Sequence, residues 1–110
     1  MTPADLRAIA ARVMAGEDVP AHKITHAMGQ TTVSQCLHSL DAADLLMAPL
    51  RKRGWRTRFG EAIAGGWYAV ANHKRLAGPP ICFAPTEPRA RTALALLCRA
   101  AELDRADAGH

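Results

Sequence analysis

Nowhere in this chain of 110 residues do apolar side chains run on for the roughly eighteen positions that a membrane-spanning helix needs. No membrane contact is expected of it. The Gly-x-Ser-x-Gly elbow, the Walker loop and the Gly-x-Gly-x-x-Gly turn are also missing, which removes the common backbone devices for exposing a nucleophilic serine or cradling a phosphate. Cysteine is scarce and odd in number. Cys36, Cys82 and Cys98 stand far apart, so they read as reduced, mostly buried thiols rather than a disulfide framework. The opening MTPADLRAIAARVMAGED sets Asp5 and Arg7 ahead of a short amphipathic run without a small-residue cleavage site, which does not read as a signal peptide. A cytoplasmic location is the expectation.

What is present describes one folded unit. Apolar residues at 49% and charged residues at 22% match a soluble globule, and the length suits a single domain over 1–110. Thr2, Pro3 and Asp5 form a helix start, after which Leu6, Ile9, Ala10, Val13 and Met14 share one stripe until Gly16. Asp18 and Pro20 repeat the signal for a shorter helix carrying Ala21, Ile24, Ala27 and Met28, so residues 1–29 read as a helical hairpin. QTTVSQCLH, residues 30–38, fits a strand, a loop or a short helix equally. Ser39 caps a third helix with Ala43, Leu46, Met47 and Leu50 as its buried stripe, and Pro49 weakens its end.

The period then changes from helical to alternating. In WRTRF, Trp55, Thr57 and Phe59 alternate with Arg56 and Arg58, which predicts a half-buried strand with aromatics inward and guanidinium groups in water. GEAIAGG supplies a hairpin loop, Trp67 to Asn72 the returning strand, and ICFA a third strand bounded by turn residues. Thr86, Glu87 and Pro88 open a last helix with Ala90, Ala93, Leu94, Leu97, Cys98 and Ala101 on its apolar face, and the tail after Leu103 is expected to fray. The fold class is therefore α+β: a three-stranded antiparallel meander covered by the helices beginning at Ser39 and Thr86, with an α-β-β-β-α core over 39–103 after the N-terminal hairpin.

Three stretches together resemble the phage ABA sandwich domain family of small phage and prophage proteins: SLDAADLLMAPLRKRGWRTRFG, GGWYAVAN and ARTALALLCRAAELDRA. The two-helix lead LRAIAARVMAGEDVPAHKITHAMG resembles that of many members, so the likeness covers nearly the whole chain. The resemblance implies a mobile-element accessory protein of a bacterial host with no catalytic residues to transfer. Residues 51–53 and the proline-rich approach to the last helix depart from the family pattern, so surface details do not carry over.

Candidate chemistry is thin. His22 and His26 lie four apart on a helix as a metal pair would, yet they oppose the Ile24 and Met28 stripe, and solvent histidines are the simpler reading. Cys36 beside His38 could supply further ligands or a thiol nucleophile, but no orienting partner is visible. Cys82 and Cys98 read as core. His38, Ser39 and Asp41 contain the letters of a hydrolase triad, with Ser39 better employed as a cap. No cofactor or metal is expected, and a metal- or thiol-dependent enzyme is the minority reading.

The basic cluster is the strongest functional signal. Arg51, Lys52, Arg53, Arg56 and Arg58 place five of fourteen cations within eight residues without a carboxylate among them, and Lys74 and Arg75 follow the next strand. In an antiparallel hairpin these groups converge at one end of the sheet. The net charge of +4 favours an anionic partner, although arginines on a strand also simply protect an edge. The sequence reading is a non-enzymatic protein-binding module for an acidic partner, such as an inhibitor of a host CRISPR or restriction complex. A basic nucleic-acid-binding regulator is the alternative, with Trp67 or Tyr68 as a stacking surface. Open sheet edges also allow a homodimer.

Overall fold

The computed structural model describes residues 2–29, 36–37, 39–75 and 80–108. Its elements are α1 (Pro3–Met14), α2 (Ala21–Ala27), α3 (Leu40–Lys52), β1 (Arg56–Glu61), β2 (Trp67–Asn72), β3 (Ile81–Ala84) and α4 (Glu87–Ala108). The α+β class and the antiparallel meander are both present, with strand order β1-β2-β3. Of the undecided stretch 30–38, all but Cys36 and Leu37 lies outside the described residues. Among the described residues, no helix is long and apolar enough to cross a membrane.

The helix starts follow their capping chemistry. Thr2 Oγ1 accepts from the Asp5 N–H at 3.2 Å while the Asp5 carboxylate accepts from the Thr2 N–H at 3.0 Å, a reciprocal capping box that holds the Asp5 carboxyl below its ordinary range. Ser39 Oγ accepts from the Ala42 N–H at 3.3 Å, which is the cap expected of it. The predicted stripe of α3 is buried as read: Ala43, Leu46, Met47 and Leu50. Asp18 does not cap α2. It lies 3.5 Å from Arg89 instead, and Pro20 stands at the helix start without a side-chain cap.

The last helix is the centre of the fold rather than one of its covers. Ala90, Thr92, Leu94, Leu96, Cys98 and Ala100 are all fully buried, so α4 is apolar around most of its circumference. It packs against α1 along one side, α3 along another and all three strands. Small alanines on α4 permit that close approach. The tail expected to fray after Leu103 remains helical to Ala108, because Asp104 pairs with Arg7 of α1 and the Arg105 guanidinium donates to the Arg75 carbonyl. Arg89, buried near the other end of α4, donates to the carbonyls of Val13 and Glu17 and so ties the α1–α2 connection to it.

The sheet register divides its side chains cleanly between two faces. Thr57 pairs with Ala71, and Phe59 with Ala69, which in turn faces Cys82; with Trp67 and Ala84 these line the side against α4, where Ala69, Ala71 and Cys82 are buried. Phe59 also lies under the Arg91 guanidinium, 4.0 Å from ring centroid to carbon. Arg56 opposite Asn72, Arg58 opposite Val70, and Gly60 opposite Tyr68 make the other side, continued onto β3 by Ile81 and Phe83.

Candidate functional site

Among the described residues, much of the outward side of the sheet is exposed. Ile81 and Phe83 are each 57% exposed, and Ile63 in the hairpin loop is fully exposed. Tyr68 and Phe83 are direct cross-strand neighbours on β2 and β3, which places their Cβ atoms about 5 Å apart. On the opposite flank of Tyr68, Gly60 leaves room for the ring. A Cβ built there would lie 2.7 to 2.9 Å from Tyr68 Cε1, Oη and Cζ, so the phenol end of the ring rests over the bare backbone of β1. The result is an apolar platform running across three strands, with Glu61 and Ile63 at its hairpin-loop edge.

The basic end of this sheet is built by the β1–β2 pairing. Arg56 opposite Asn72 brings the end of α3 against the end of β2, and Lys52, Arg53, Arg56, His73, Lys74 and Arg75 line one cleft of about 480 Å³. The expected convergence of the two cationic segments is present. His73 organises the cleft floor: its Nδ1 accepts from the Arg75 N–H at 3.1 Å, which leaves Nε2 as donor to the Arg53 carbonyl at 2.8 Å. Its ring also meets Trp55 edge-on, with centroids 5.2 Å apart.

The seven cations singled out from the sequence are not equivalent. Arg53 makes a two-pronged pair with Glu102, at 2.7 and 2.9 Å, and the same carboxylate accepts from the Trp55 indole N–H at 3.1 Å. Burial works against the Glu102 carboxylate, but these hydrogen bonds outweigh it and hold its carboxyl below the ordinary range. Arg51 donates to Asp44 at 2.6 Å, and Asp44 also takes Arg91 at 3.1 Å. The hydrogen bond from Arg51 is the largest cause of the lowered Asp44 carboxyl. Among the described residues, Lys52, Arg56, Arg58, Lys74 and Arg75 have no carboxylate partner.

The minority sites gain nothing from the fold. His22 and His26 are exposed on α2 beside a shallow groove shared with α1, and no cluster of three metal-ligating side chains forms among the described residues. His38 lies outside them. All three thiols are buried, and burial pushes each one up: Cys36 in direction, Cys82 to about 12, and Cys98 furthest. Such thiols are held protonated, the reverse of what a thiolate nucleophile requires.

Sequence reasoning found the cations but not the platform. Of Trp67 and Tyr68, both offered as stacking surfaces, the register turns Tyr68 outward and packs Trp67 against the core. Phe83 escaped notice because ICFA alternates over only four residues, and either alternate pair could have faced α4. The signal that could have found it is Cys82, already read as core, since a buried residue on a strand turns its neighbours outward. Compared with known proteins, the chain matches no family model, no curated protein and no solved structure.

Proposed function

We propose that this chain is a non-enzymatic nucleic-acid-binding module whose contact surface is the outward side of the sheet together with the basic cleft at its end. The observation that carries the reading is the sorting of charge. Among the described residues, five cations without carboxylate partners lie along one end and flank of an open sheet, beside the exposed Phe83 ring and the half-buried Tyr68 ring. Phosphate contacts supply most of the affinity of such surfaces and fix their salt dependence. Fluorescence anisotropy of labelled DNA and RNA with the purified protein tests it, with binding at low salt expected to weaken steeply as salt is raised. Absence of binding to any nucleic acid at low salt would reject this function.

A second reading, the acidic protein partner expected from the sequence, is favoured by one observation. Exposed Ile63 and Ile81 extend the platform with aliphatic surface, and apolar groups beside arginine suit a protein interface core. The phage-type origin implied by the resemblance, with inhibition of a host defence complex, belongs to this reading. It predicts that a defined host protein is retained by the wild type and lost by Arg56→Glu with Arg58→Glu, while nucleic acid is ignored.

A further inference from the structure

Bases within a duplex hide their faces in the stack, whereas the bases of a single strand can lay theirs on aromatic side chains. A platform made of the exposed Phe83 ring and the half-buried Tyr68 ring lying along the sheet therefore gains most where bases are splayed. We infer that the nucleic acid taken by this surface is single-stranded, with bases stacked on Tyr68 and Phe83 and its phosphates led along Arg58 and Arg56 toward the basic cleft. The inference rests on the nucleic-acid reading above and adds to it the strandedness of the ligand and the residues that decide it.

Three features of the geometry converge on that ligand. Tyr68 and Phe83 are cross-strand neighbours, and the bare backbone at Gly60 allows the tyrosine to lie across toward β1 rather than standing off the sheet. Arg58 is one strand over and two residues along from the position opposite Tyr68, a separation of about 8 Å, and Arg56 stands about 7 Å further on by strand geometry. The cations thus run beside and beyond the rings instead of surrounding them, as a sugar-phosphate backbone trailing from stacked bases would require. Glu61 borders the apolar edge at the opposite end from the cleft, which disfavours phosphate there and orients the path toward Arg56. A folded acidic protein surface would meet the same cations but does not join planar groups to anions at a regular repeat as a nucleic-acid strand does.

The test compares labelled oligo-dT and oligo-U single strands with a duplex of equal length by anisotropy, using poly-glutamate as a competitor that offers charge without bases. Single strands are expected to bind more tightly than duplex and to resist poly-glutamate. Tyr68→Leu and Phe83→Leu, which keep apolar cover on the sheet but remove the rings, are each expected to weaken single-strand binding roughly tenfold. Duplex binding should be unchanged in both, and the thermal melt unchanged for the exposed Phe83→Leu. Duplex bound as tightly as single strand, leucine variants that bind like wild type, or equal displacement by poly-glutamate would overturn the inference while leaving a phosphate-binding function in place. Failure of every oligonucleotide to bind at low salt would overturn both.

Discussion

Arg53 is removed from the cationic cluster by a carboxylate 49 residues further along the chain. Nothing near it in sequence announces this, because its neighbours are themselves cations and Glu102 sits on a helix read only for its apolar face. Glu102 joins the Arg53 guanidinium and the Trp55 indole N–H, so it fixes the strand entrance where Trp55 turns into the core. Its carboxyl is held below its ordinary 4.5, and the sign follows from that depression. The ionised form is favoured in the folded protein, so its contribution is present above 4.5 and is lost as pH falls through the lower folded value. Replacing Glu102 with Gln, which cannot ionise, should cost about 1 to 3 kcal/mol at neutral pH by leaving Arg53 and the indole poorly partnered. Chemical denaturation across pH checks this: the gap between wild type and variant is expected to close in acid. A gap that is constant with pH would mean that the carboxylate charge plays no part.

At the level of elements, the sequence was most legible where periodicity was long. Four residues of α3 at helical spacing, and five alternating positions from Trp55 to Phe59, state their buried sides without help from the rest of the chain. WYAVAN is apolar at nearly every position, so alternation could not say whether Trp67 or Tyr68 faces outward; the pairing of Gly60 with Tyr68 decides it. Gly60, the first residue of the glycine-rich stretch expected to form the hairpin loop, lies within β1, and the loop turns later, through Gly65 and Gly66 at positive φ. Gly60→Ala should therefore cost about 1 to 3 kcal/mol, as an overpacked contact against Tyr68. If the cost arises there, Tyr68→Leu with Gly60→Ala should recover most of it in thermal melts, because the smaller side chain yields the space. Equal losses in the single and double variants would place the strain elsewhere.

For the molecule as a whole, the meaningful quantity is where charge remains after folding, which the net +4 does not reveal. Arg7, Arg12, Arg51, Arg53, Arg89, Arg91 and Arg99 each find a carboxylate; Arg7 with Asp104 and Arg91 with Asp44 fasten helices to one another, and Arg53 with Glu102 ties the end of α3 to α4. Among the described residues the cations left without a carboxylate are Lys23 on α2, Arg105, which donates to the Arg75 carbonyl, and five that gather at the sheet, Lys52, Arg56, Arg58, Lys74 and Arg75. An eight-residue window in the sequence pointed to the region but overstated its strength by including the two arginines that the fold neutralises. That distinction has a measurable consequence, since each phosphate neutralised releases a counterion and log K falls with log salt by about 0.7 per contact for a single strand. Five free cations predict a slope near −3.5 by that rule, and seven would predict about −4.9. Arg56→Glu with Arg58→Glu should lower the steepness by about 1.4 or more, whereas Arg51→Gln should leave it nearly unchanged because Asp44 already holds that charge. An Arg51 variant with as large an effect as the Arg56 and Arg58 pair would show that Asp44 releases Arg51 when the ligand arrives.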